Sequence, residues 1–527
     1  MPLPPDRYVI ARLTDFWGRR TPWYKGLWTI GSMLLVQEVL EASNFLALGH
    51  FSQRTVTGLA DEAKLRVRSD PGFAPGAMKN QLMIALANVH SNSIARRQLE
   101  IVISEMRPLY LESWRAHLLS PGATTNCELI ARSLASHMLS LGFSPEKLHQ
   151  WLQAGQGAGT QTTIEDVIVG LTSLEATSEK DYNVLIPIER IRGLSVPAPE
   201  TWLDNAQAKD WVEGNVGSLS LPPRQSGAFV FQVAALDEWA ATEKALECVR
   251  QMRAQVSVGH STVKSMEVGS LAFVSGIPTP MKLPRLSREV NVLSLKRGGM
   301  LFDHRMLQSH NRLRSAIDLL DQLESAPIGS AISCGWAAIE ALLKRPDETT
   351  VQAAVDLASV IACSWPRAEL TPLCYEYVKN NSDELAAELA AADTNRERCR
   401  LMLEAAVSNP ALSMTRESSE AALMRMRDLA MSQTETLQHV RDYVASSLIR
   451  LYRQRNLILH GGFFDSLTRT TTLRCAPPLV GAGFDRIVHF ALTNNEFEPD
   501  RLIAEANLAI GTASGRSVSY LTQMLER

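Results

Sequence analysis

Three residues near the C-terminus have the types and spacing for phosphate chemistry. They are Arg455, Asn456 and His460, in the run RNLILH. Residues four apart share one face of a helix, which sets Asn456 beside His460, with Tyr452 one turn earlier. A neutral imidazole can take the proton of a ribose 2′-hydroxyl, and an imidazolium can protonate a leaving oxygen. A guanidinium can hold the scissile phosphate and stabilise charge on its oxygens. An amide can orient the phosphate or the ring. Together these are the ingredients of metal-free RNA cleavage.

The element that must carry them is the segment QTETLQHVRDYVASSLIRLYRQRNLILHGG. Leu437, Val440, Val444, Leu448, Leu451 and Ile458 recur at steps of three and four, as on one buried helix face. Arg455 falls on that seam. A guanidinium there is costly to bury unless an anion meets it, either a carboxylate of the protein or a phosphate of a ligand. The HGG ending suits a glycine cap. Each residue also has a plain reading. Arg455 could form an ion pair with Glu340, and His460 could simply favour the helix dipole. Asn456 could be an ordinary polar residue at a helix end. Glu340 has Lys344 four residues on, and Tyr452 suits packing.

The bare spacing of arginine and histidine is not selective. Arg132 to His137, Arg253 to His260, Arg297 to His304, Arg305 to His310 and Arg453 to His460 share it. Only Arg455 is followed by asparagine.

The RNLILH run, with Gly461 and Gly462 after it, resembles the Arg-x(4–6)-His signature of HEPN ribonucleases. GWAAIEALL at 335 to 343 and PLVGAGFDRIVH at 478 to 489 make it most similar to the ApeA-like branch of bacterial anti-phage defence proteins. The resemblance covers roughly residues 305 to 515. It implies an all-helical bundle that forms a homodimer, with two Arg/His tips meeting in one cleft. It also implies a metal-independent cut through the 2′-hydroxyl, and a supporting role for Glu340. A cellular RNA such as tRNA or mRNA would be the substrate, with a phage-derived or host protein as a possible trigger. The same kind of bundle can instead be a non-catalytic RNA-binding or partner-docking module. In that reading Arg455 is a phosphate anchor and His460 a cap.

Around this region the chain divides into three textures. Residues 1–175 read as helical, a sensor or scaffold without a catalytic motif. Residues 180–300 carry short runs rich in Val, Ile and Phe (YNVLIPIERI, GAFVFQVAAL, SLAFVSG, EVNVLSL), with one helical stretch between the second and third. Residues 305–527 turn helical again. The expected fold class is mainly α with a small central α/β domain and a C-terminal HEPN-like bundle.

The 527 residues hold 53 Lys and Arg against 56 Asp and Glu, a net charge of -3. That excludes a polybasic nucleic-acid coat. Seven cysteines with no C-x-x-C pair argue against a disulfide framework or a thiolate zinc site, and fit a reducing cytoplasm. No P-loop, H-E-x-x-H or G-x-S-x-G motif is present, and no metal or organic cofactor is expected. No apolar run reaches the ~20 residues a bilayer requires, so no membrane association is expected.

The average charge conceals a local one. Between 282 and 314, eight basic residues stand against two acidic ones. Lys296, Arg297, Arg305, Arg312 and Arg314 are the candidate RNA contacts here, with Arg450 and Arg453 on the tip helix.

Overall fold

Helices dominate a computed structural model of the chain, and a small sheet interrupts them. The structure describes residues 3–19, 21–90, 93–122, 126–156, 162–191, 198–217, 225–259, 266–283, 288–302, 311–463, 465–494 and 498–525. The fold is mainly α with a small antiparallel α/β region.

In the first block, local chemistry sets the helix ends. Asn126 accepts from the Leu129 amide to start Cys127–Leu141, and Gly142 ends it in the left-handed conformation (φ 110°). Thr163 and Asp166 form a capping box on Ile164–Glu175. The apolar faces of these helices enclose Leu13, Trp17, Leu35, Val39, Tyr110, Trp114 and Leu134.

The middle block is one sheet. Its strands are β1 (Lys180–Ile191), β2 (Trp202–Asp204), β3 (Gly227–Ala235), β4 (Met266–Val268), β5 (Leu271–Val274) and β6 (Met281–Lys282). They run in the order β2-β3-β1-β5-β6, with β4 also on β1 and every pairing antiparallel. Alternate residues of β1 face opposite sides. Val184, Ile186 and Ile188 pack under the helix Glu238–Gly259, while Leu185 and Phe273 meet Asn205–Asn215.

One expected strand is absent. EVNVLSL instead holds a short helix, Leu293–Arg297. Glu289 takes a positive φ of 61°, which breaks extended backbone. The following segment lies on the helix Arg469–Asn494, where Asp485 accepts from the Ser294 amide at 2.5 Å. Gly481 makes room for it: a Cβ there would come within 2.7 Å of the Asn291 nitrogen. In PLVGAGFDRIVH, then, Gly481 admits a backbone, Gly483 admits Leu357 and Asp485 caps a helix.

The last block is helical, as expected. Gln352–Asn380 runs unbroken through Pro366 and Pro372. Thr394 caps Asn395–Ser408 and separates it from Glu384–Ala391. Glu417–Met431 and Gln433–Gly461 follow, parted at Ser432. Gly335 lets Leu323 of the neighbouring helix press to within 2.8 Å of where a Cβ would stand.

The first and last blocks share a buried seam. Trp28 belongs to the C-terminal core and meets Trp365 edge-on at 6.1 Å. Glu128 lies among Arg12, Arg132 and Arg425. Burial pushes its carboxyl up, but the three guanidinia outweigh that and hold it well below the usual range. Among the described residues, no helix is long and apolar enough to cross a membrane.

Candidate active site

The helix Gln433–Gly461 carries the three candidate residues on its last turns. Its apolar stripe, Leu437, Val440, Val444, Leu448, Leu451 and Ile458, is buried as the periodicity predicts. Gly462 ends the helix at φ 64°, and the Phe463 amide closes back on the Leu457 carbonyl at 3.2 Å.

This cap leaves Arg455, Asn456 and His460 at a protruding tip. Arg455 and Asn456 are half-buried, and His460 is exposed. Arg455 Nη1 donates to Asn456 Oδ1 at 3.0 Å and stands 3.4 Å from His460 Nε2. A guanidinium has no lone pair to offer. The contact therefore requires Nε2 to be the accepting nitrogen, which places the ring proton on Nδ1. Among the described residues, no carboxylate pairs with Arg455.

Glu340 does not fill that gap. Its ion pair is with Lys344, 3.8 Å away on its own helix. One turn back, Trp336 packs on Tyr452 with ring centroids 5.0 Å apart, so that helix supports the tip through aromatic packing.

Two predicted RNA contacts are corrected. Arg450 and Arg453 are buried, facing the helix Ser32–Ala47. Arg450 Nε donates to Glu38 at 2.9 Å, and Arg453 Nη2 lies 3.3 Å from the same carboxylate. Glu62 joins them. Burial pushes its carboxyl up, yet Arg450, Arg453 and Arg66 draw it below its ordinary value. These arginines hold the tip helix against the first block and cannot reach a nucleic acid.

The basic strip is thinner than its composition. Arg288 donates to the carbonyls of Leu323 and Ala326, and Arg312 to those of Ala341 and Leu342. Both serve helix ends, Arg288 half-buried and Arg312 still exposed. Arg297 pairs with Asp485 at 2.9 Å while staying largely exposed. Lys296 and Arg314 are exposed, and Arg305 lies outside the described residues. The competing pair Arg132 and His137 is occupied within the first block: Arg132 binds Glu128, and His137 binds Glu175 and stacks on Tyr110.

Several residues at the tip come from the first block, which no sequence signal linked to it. Glu41 accepts from Ser466 Oγ (2.8 Å) and the Leu467 amide (2.9 Å), pinning the segment after the tip. Gln454, next to Arg455, donates to Ser466 and Thr468. Phe463 packs against Phe45 and His50 at centroid distances of 4.8 and 5.3 Å. Glu38, Glu41 and Phe45 recur at helical spacing, so one face of Ser32–Ala47 braces the whole tip. No cluster of His, Cys, Asp or Glu among the described residues is arranged to hold a metal ion.

No family model, curated protein or solved structure matches this chain.

Proposed function

We propose that the protein is a metal-independent endoribonuclease of the HEPN type, acting in the cytosol as an anti-phage effector or toxin. Arg455 carries the reading. Of three arginines in six residues of one helix, two share the Glu38 carboxylate, while Arg455 stands at the surface against His460 with no carboxylate among the described residues. A cation so placed is suited to a phosphate oxygen. Once Arg455 turns from His460 to a phosphate oxygen, the Nε2 lone pair is free to take the 2′-hydroxyl proton. Asn456 orients the guanidinium.

In this reading the substrate is a cellular RNA such as tRNA or mRNA, and a second copy of the chain completes the cleft. The exposed side chains of Leu459, Phe463 and Leu467 beside the tip support such pairing. Lys296, Arg297 and Arg314 would steer the phosphate backbone. A trigger recognised by the first block would reach the tip through the helix that braces it. Seven free cysteines suit a reducing compartment. The test is cleavage of cellular RNA by the full-length protein beside its Arg455→Ala and His460→Ala variants.

A further inference from the structure

Five of the seven cysteines are thiols that burial pushes up, Cys363 to about 12. The other two, Cys374 and Cys399, are free, fully buried and hydrogen bonded to each other. Cys374 lies on Gln352–Asn380, and Cys399 lies early in Asn395–Ser408, the helix that Thr394 caps. Thr371, one turn before Cys374, brings its Oγ1 to 3.4 Å from Cys399 Sγ, and the Arg367 carbonyl is 3.9 Å from the same sulfur. The hydrogen bond with Cys374, the Thr371 hydroxyl and the guanidinia of Arg367 and Arg398 hold the Cys399 thiol below its ordinary range, against its burial. Cys374, as the donor, is pushed up. The neighbours of both thiols reach the surface: exposed Tyr375 donates to Asn395 at 2.8 Å, and Arg398 stands 5.7 Å from its ring centroid.

A cation-flanked sulfur hydrogen bonded to a second thiol is the arrangement of a redox-active dithiol, in which one sulfur attacks and the other resolves. We propose that Cys399 and Cys374 form a modification site for a hydroperoxide, with Cys399 as the attacking sulfur and Cys374 as the resolving one. With hydrogen peroxide, the Cys399 thiolate bonds to one oxygen and the O–O bond breaks. The sulfur is oxidised to a sulfenic acid, and the departing hydroxide takes up the proton that the thiol released, giving water. The Cys374 sulfur then attacks the Cys399 sulfur, loses its own proton and displaces hydroxide, which that proton converts to a second water. The two thiols have given two electrons to the peroxide, and a disulfide joins Gln352–Asn380 to Asn395–Ser408. A cellular thiol reduces it again, so the linkage is transient in a reducing compartment. Both sulfurs are closed off from solvent, so the reaction waits on local opening between the two helices. This chemistry does not depend on Arg455 or His460.

The test exposes the reduced full-length protein to hydrogen peroxide, then alkylates it in denaturant and maps all seven cysteines by mass spectrometry. We expect one linkage, Cys374 to Cys399, with the other five thiols still alkylated, and its reversal by a dithiol reductant. Cys374→Ser should instead accumulate a sulfenic acid at Cys399, trapped by dimedone. Cys399→Ser should slow the oxidation of Cys374 by about tenfold or more. The site is overturned if the native protein forms no such linkage at a peroxide concentration that oxidises glutathione in the same tube, or if another pair of cysteines links first. It is also overturned if Cys399→Ser leaves Cys374 as reactive as in the wild type. The first two outcomes are read from the wild type, whatever the substitutions do to folding.

Discussion

Arg455 Nη1 lies 3.4 Å from His460 Nε2, on a helix whose buried arginines, Arg450 and Arg453, are both held by Glu38. One helix therefore bears two kinds of arginine. Those facing the first block hold the structure together, and the one at the tip contributes little to it.

Arg455→Ala should lower RNA cleavage about 100-fold or more, while the free energy of unfolding changes by no more than about 0.5 kcal/mol. Arg455→Lys should recover only part of the rate, since an ammonium cannot reproduce the two-pronged hold on a phosphate. Cleavage assays paired with urea unfolding measure both quantities.

Glu38→Ala should show the opposite balance. It strands two buried guanidinia, at a cost of about 3–5 kcal/mol by urea unfolding. Asp442→Ala, on the exposed side of the same helix with Arg441 as partner, should cost less than about 1 kcal/mol. A chain lacking residues 1–175 would lose Glu38, Glu41 and the buried Trp28 together. It should be insoluble rather than a freed nuclease, and size-exclusion chromatography of the truncated protein checks this.

The pH dependence of stability has two opposing sources. Glu243 lies where the three blocks meet. Burial, reinforced by Glu146, pushes its carboxyl up to about 7 despite Arg474 nearby. A raised carboxyl favours folding below its unfolded pKa, and that contribution is lost as pH rises through 7. Glu128 is held well below its ordinary range, so its contribution is present at neutral pH and is lost as pH falls. Glu243→Gln should therefore leave stability unchanged near pH 4 and raise it by roughly 2 kcal/mol at pH 8. Urea midpoints across that range measure it.

Glycines separate in a similar way. Gly481→Ala forces a methyl against the Asn291 backbone and should cost about 1–3 kcal/mol. Gly58→Ala, with open space around the added methyl in the helix Gln53–Ser69, should stabilise by about 0.5–1 kcal/mol. Thermal unfolding of the two variants reads the difference.

The tip helix was legible because its apolar stripe repeats at helical spacing and glycines mark its end. Arg455 was legible because it interrupts that stripe. The fates of Arg450 and Arg453 were not, because their partner Glu38 lies 412 residues from Arg450 in sequence. The same distance hid the packing of Phe45 and His50 on Phe463. EVNVLSL reads as a strand from its valines, but the contacts that shape it, Gly481 and Asp485, lie far along the chain. Charge counting overstated the basic strip, because composition does not show that Arg288 and Arg312 serve helix-end carbonyls.

The most direct measurement is to incubate the purified full-length protein with total RNA in EDTA and sequence the RNA ends, beside His460→Ala. The expected result is defined cuts with 2′,3′-cyclic phosphate and 5′-hydroxyl ends that vanish in the variant. Intact RNA with the wild type under activating conditions, or equal cutting by His460→Ala, would contradict it.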